Sequence, residues 1–192
     1  MRQHLAFRLT IVLLSLAGAC RAATRSTLRA NATPVATNDP VVADDLARLR
    51  AATRAYQDLD SAVAAGYARD VADCLVHEHH GAMGYHHMNR ALVDAKIEIE
   101  RPEILLYERR PDGAYRLNGV EYIVPYRAWP RDSAPPITFG QRMRHEDNLH
   151  LWYLHVWAWT NNADGLFADF NPAVQCPAGA GKVFTPFARP QG

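Results

Sequence analysis

The stretch EILLYERRPDGAYRLNGVEYIV, residues 103–124, decides the fold. Glu103 to Arg109 is an apolar run opened by Pro102, which reads as a strand. Asp112-Gly113 is a hairpin turn signal. Tyr115 to Val124 then returns as the partner strand. Outward from this hairpin, Leu149 to Thr160 (LHLWYLHVWAWT) is the strongest strand signal in the chain, dense in aromatic residues. Met83 to Met88 forms another strand. After Asn161 the sequence is turn-rich and studded with proline. No internal repeat is present.

Upstream the period changes from two to 3.6. Asp39 is an N-cap and Pro40 a first helical residue. Val42, Leu46, Leu49, Ala52, Tyr56, Leu59, Val63 and Tyr67 recur at spacings of three and four, one apolar stripe that Gly66 closes. The expected fold is therefore α+β, an N-terminal amphipathic helix packed on a curved antiparallel sheet.

The 192 residues suit one such domain with a leader. Arg2 and Arg8, the apolar Ile11 to Leu16 and the small Ala17-Gly18-Ala19 have the three parts of a secretory signal. The apolar run is about half a membrane span. Residues 1–19 are thus read as a signal peptide, 20–38 as a flexible tether rich in Ala and Thr, and 39–192 as the domain. The chain is expected in the periplasm, anchored to the outer membrane, or secreted. Cys20 follows the cleavage site as the cysteine of a lipobox does, although Ala17 stands where leucine is usual. Lipidation at Cys20 and plain cleavage both stay open, and that lipid would be the chain's only membrane attachment.

The remaining thiols, Cys74 and Cys176, suit a disulfide in an exported protein; two buried free thiols are the alternative. A formal net charge of +1 with no basic stripe argues against a nucleic-acid partner. His77-Glu78-His79-His80 is not a zinc-protease motif, since Gly81 stands where the second histidine is needed. Gly181-Lys182-Val183 lacks the rest of a phosphate loop, and no serine-hydrolase or dinucleotide signature exists.

Eight of the nine histidines fall between residues 77 and 155: His77, His79, His80, His86 and His87, then His145, His150 and His155. Imidazole is a frequent ligand for zinc and copper. If the HEHH run is extended, His77 and His79 share a face. His155 shares a face with Leu151, Tyr153 and Trp157, so its ring needs a partner there. Glu108 alternates with Ile104 and Leu106, and Glu121 with Leu117, Gly119 and Ile123. A carboxylate on an inner sheet face needs a cation or strong donors. His86, Glu108, Glu121 and His155 are the expected ligands of a divalent metal, zinc or copper, or of a small polar molecule. The structural alternative pairs the two glutamates with Arg109, Arg116 or Arg142 and His155 with a core tyrosine. Trp152, Tyr153, Trp157 and Trp159 are either core packing or stacking surfaces for a small molecule.

The segments AAGY (64–67), GAMGYH (81–86), RPE (101–103) with LYE (106–108), GVEY (119–122), HVW (155–157) and FADFNP (167–172) occur together. In this combination the chain resembles a group of exported bacterial proteins of uncharacterised function, over roughly residues 45–178. The resemblance brings no activity. It implies that Cys74, Cys176, His86, Glu108, Glu121 and His155 belong to a shared pattern, whereas Cys20, His79, His80 and His87 do not. Two functions follow as expectations: a His/Glu pocket for a metal or small polar ligand, or a non-catalytic envelope protein that binds a small molecule or partner on its aromatic surface.

Overall fold

The computed structural model describes residues 37–69, 74–179 and 181–183. The expected signal peptide, Cys20 and all but the last two tether residues lie outside them. Helix α1, Pro40–Thr53, starts as its sequence requires: the Asp39 carboxylate accepts from the amides of Val41 and Val42. It buries Val42, Leu46, Leu49 and Thr53.

The single long helix expected to Gly66 is broken. The Thr53 hydroxyl donates back to the Leu49 carbonyl at 2.8 Å, which competes with helix continuation. A 3-10 turn follows over Arg54–Gln57, and Asp58 is extended. The Tyr107 hydroxyl then takes the Tyr56 carbonyl at 2.6 Å, so a tertiary hydrogen bond replaces a helical one. Helix α2, Leu59–Ala64, restarts after the extended Asp58 and leaves Val63 52% exposed, off the expected stripe.

Among the described residues ten strands follow: β1 (Ala68–Arg69), β2 (Cys74–His77), β3 (Gly81–Met88), β4 (Ile104–Arg109), β5 (Tyr115–Pro125), β6 (Ile137–Thr138), β7 (Gln141–Arg142), β8 (Arg144–Glu146), β9 (Leu151–Val156) and β10 (Gly181–Val183). β6 and β7 pair with each other. The rest form a curled sheet in the order β10-β2-β3-β4-β5-β9-β8, with β1 added beside β3. All its pairings are antiparallel except β10 with β2. The aromatic strand is shorter than its sequence suggests. His150 sits at φ 54° before it, and beyond Val156 the amides of Trp159 and Thr160 turn to the Asn118 carbonyl.

The two sheet faces carry separate cores. Leu105, Tyr107, Val120, Tyr122, Trp152, Leu154 and Val156 share one with Val42, Leu46 and Leu49 of α1. Ile104, Leu106, Ile123, Trp157, Ala82 and Val174 form the other. In β5 the register slips by one residue: Leu106 faces Gly119 but Tyr107 faces Leu117, so Asn118 is an extra residue. The bulge sends Leu117 to the helix-side core, away from the face of Glu121 on which simple alternation puts it.

Gly84 holds a tight crossing. Its φ is 90°, and a Cβ there would stand 2.3 Å from the Tyr107 carbonyl oxygen. Strain and backbone collision add, so Gly84→Ala is expected to cost at least about 2 kcal/mol. Urea denaturation of the variant, compared at equal slope, checks this; an unchanged midpoint would mean the crossing can open.

Cys74 and Cys176 form a disulfide across 102 residues. It ties β2 to the segment after Asn171, and Asn171 in turn exchanges backbone hydrogen bonds with Ala82 of β3 at 3.0 and 3.1 Å. Among the described residues no helix is long and apolar enough to cross a membrane.

Candidate functional site

Three adjacent registers place the site. His155 on β9 lies directly across from Glu121 on β5, and Glu121 in turn faces Ile104 on β4. His86 on β3 faces Leu106, the next residue on that same side of β4. The side chains therefore rise from one face, over the core of Ile104, Leu106 and Trp157. Gly119 makes room: a Cβ there would meet the Val156 carbonyl oxygen at 2.7 Å and the Trp157 ring at 3.1 Å. Trp157 stacks on His155 with 10° between the rings.

Among the described residues, His86, Glu121 and His155 are the one set of His, Cys, Asp or Glu whose ligand atoms gather within 4.8 Å of one another. Glu121 Oε2 lies 3.5 Å from His86 Nε2 and 3.8 Å from His155 Nε2. The His155 side chain is 1% exposed, His86 7% and Glu121 10%. Neither ring nitrogen of His155 makes a hydrogen bond, nor does His86 Nδ1. Buried polar atoms are normally paired, so this cluster of orphans is unusual. The spacings exceed the usual 2.7–3.2 Å of an N–H···O bond. They approach the edge of a tetrahedron around a cation, about 3.4 Å for metal–ligand bonds near 2.1 Å.

Electrostatics divide the cluster. Burial, with His155 beside it, pushes His86 down to about 3, so its ring is neutral and keeps a lone pair for a cation. Burial pushes Glu121 up, and Asp169 adds to the rise, against the pull of His155. Burial also opposes charge on His155, but Glu121 and Asp169 on its two sides outweigh it and raise its pKa. A divalent cation between Glu121 and His155 would satisfy both groups.

The other expected ligand, Glu108, is not in the cluster. It forms an ion pair with Arg116 at 2.6 Å and accepts from the Gln175 amide at 3.4 Å, one of the pairings the structural alternative named. The HEHH run is not extended. Glu78 to His80 form the turn between β2 and β3, His77 accepts from the His79 amide, and His79 and His80 are 73% and 54% exposed. His87 points to the opposite face, against Tyr107 and Tyr115. His145 lies exposed beside Arg131 and Asp147. Trp152 and Trp157 are buried in opposite cores, while Tyr153 and Trp159 are half-buried.

Two acids escaped sequence reasoning. Asp169 stands 3.8 Å from His155 Nδ1 and pairs with Arg144. Its only trace in the sequence is a carboxylate inside the aromatic run FADFNP. Glu103 is 1% exposed and accepts the Ile123 amide at 3.1 Å. Burial lifts it from 4.5 to about 8. The folded chain therefore holds a proton there that the unfolded chain releases. The stability Glu103 carries is fully present below pH 4.5 and falls as pH rises through about 8, by an amount on the order of a few kcal/mol. Glu103→Gln keeps an acceptor for Ile123 and should flatten that loss. Denaturant curves from pH 4 to 9 check it; parallel profiles for the two proteins would refute the assignment.

Compared with family models, curated proteins and solved structures, the chain matches none.

Proposed function

We propose that this chain is an exported protein holding one divalent transition-metal ion, zinc or copper, between His86, Glu121 and His155. One observation carries the reading: two buried imidazoles and a buried carboxylate, nearly devoid of direct hydrogen bonds, converge at spacings suited to a shared cation. Leaving such groups bare costs a few kcal/mol each, and a metal removes that cost. Export is supported by the leader-like first 19 residues and by the Cys74–Cys176 disulfide.

Two histidines and one glutamate leave a coordination position for water or a ligand, as catalytic zinc sites do. A metal bound there would lower the pKa of its water or polarise a bound group, so metal-assisted hydrolysis is the enzymatic form of the proposal and oxidation its copper form. Trp157 and the apolar core beneath exclude bulk water from the ligands. Elemental analysis of protein purified from its native compartment tests the reading. One zinc or copper per chain is expected; protein free of transition metal, and unable to take it up, would refute it.

A second reading, a small-ligand binder, has one observation in its favour. A groove of about 470 Å³ opens on the same sheet face, lined by Met88, Val93, Ile123, Arg127 and Leu151. Met88 and Ile123 stand two residues beyond His86 and Glu121, hence on the same side of their strands. Uptake of a small molecule by metal-free protein, undiminished in Glu121→Gln, would favour this reading over the first.

A further inference from the structure

We infer that Asp169 is a positioning residue for the metal centre: it receives the Nδ1–H of His155 and so presents Nε2 of that ring to the metal. The inference rests on the metal reading and adds to it the tautomer of one ligand and the residue that sets it.

The geometry has a direction. His155 Nε2 faces Glu121 Oε2, and His155 Nδ1 faces Asp169 Oδ1, both at 3.8 Å. His86 also turns Nε2 towards Glu121. The metal position therefore lies on the Nε2 side of both rings, and Asp169 lies behind His155. A histidine ligand ordinarily donates its second N–H to a carboxylate or carbonyl, which fixes the ring and raises its basicity. Among the described residues nothing lies at hydrogen-bond distance from His155 Nδ1, and Asp169 is the acceptor that faces it.

Asp169 is built to stay in place. Trp157 donates its indole N–H to the Ala168 carbonyl at 2.7 Å, and Asn162 donates to the Phe170 carbonyl at 2.8 Å, so the backbone is held on both sides of residue 169. Asn171, two residues on, is bonded to Ala82 of β3. Arg144 of β8 pairs with the Asp169 carboxylate from the solvent side. Closing the gap to a normal hydrogen bond takes a shift of about 1 Å, within reach of a ring that tilts as Nε2 meets a cation.

Zinc titration of metal-stripped protein tests this, with Asp169→Ala and Asp169→Glu beside the wild type. Asp169→Ala should bind zinc 10- to 100-fold more weakly, the usual cost of losing such a partner, and Asp169→Glu should recover most of the loss. Nitrogen-15 NMR of the zinc-loaded wild type should show His155 protonated at Nδ1 and bound through Nε2, a readout that a merely structural role for Asp169 would not produce. Zinc binding by Asp169→Ala within twofold of wild type, or a His155 bound through Nδ1, overturns the inference and leaves the metal site standing. A wild type that takes up no zinc removes the metal reading itself, and this inference with it. Should Asp169→Ala fail to fold, the tautomer in the wild type decides alone.

Discussion

His86→Ala, His155→Ala and Glu121→Gln are each expected to weaken zinc binding by about two to three orders of magnitude. Protein zinc sites gain roughly 10–16 kcal/mol from about four ligands, so one ligand is worth about 2.5–4 kcal/mol, and each 1.4 kcal/mol is tenfold. Competition titration against a chelator of known affinity measures this. Glu108→Gln is the matched control: its carboxylate belongs to Arg116, and zinc affinity should stay as it was. His155→Ala removes the partner of a buried carboxylate, which can cost about 3–5 kcal/mol of stability. Glu121→Gln leaves no charge behind and nearly the same volume, so it reports on binding even if the histidine variants unfold. Equal affinity in wild type and Glu121→Gln would place any bound zinc elsewhere, the exposed Glu78–His80 turn being the obvious competitor.

Opening the Cys74–Cys176 disulfide should cost nearly as much. On the chain-entropy model a closed loop near a hundred residues is worth about 4.7 kcal/mol. Domains of this size have roughly 5–15 kcal/mol in all, so the reduced protein sits close to its unfolding threshold. The bond also fixes the chain just after Asp169, so its loss should loosen the metal centre before the sheet melts. Urea unfolding of Cys74→Ser, with peptide mapping of the wild type under non-reducing conditions, measures both parts. Alkylation of both thiols in native, oxidised protein would contradict the pairing.

The hairpin around Asp112-Gly113 and the strands beside it were legible because their period of two and their turn residues are local signals. Glu121 and His155 were legible for a related reason: each is a polar residue on an otherwise apolar strand face, and such residues need partners. What the sequence hides is non-local. The bulge at Asn118 moves Leu117 to the other core, and nothing around residue 118 announces it. The helix breaks near Thr53 because a hydroxyl from β4, 51 residues away, claims the Tyr56 carbonyl. Glu108 has the same alternation as a core residue, but Arg116 lies opposite it in the register and satisfies it. The HEHH run becomes a turn because Gly81 sits at φ 83°, its backbone pressed against Asn171. Asp169 lies in a segment without periodicity, where position is set by hydrogen bonds from Asn162 and Trp157 rather than by spacing along the chain.

The central claim is that His86, Glu121 and His155 hold one metal ion, and anomalous X-ray diffraction at the zinc edge tests it most directly. Crystals of zinc-loaded protein should show one strong peak, about 2.0–2.1 Å from the Nε2 atoms of His86 and His155 and about 2.0–2.2 Å from a Glu121 carboxylate oxygen. No peak there, or peaks only at the exposed histidines of the Glu78–His80 turn, would contradict the claim.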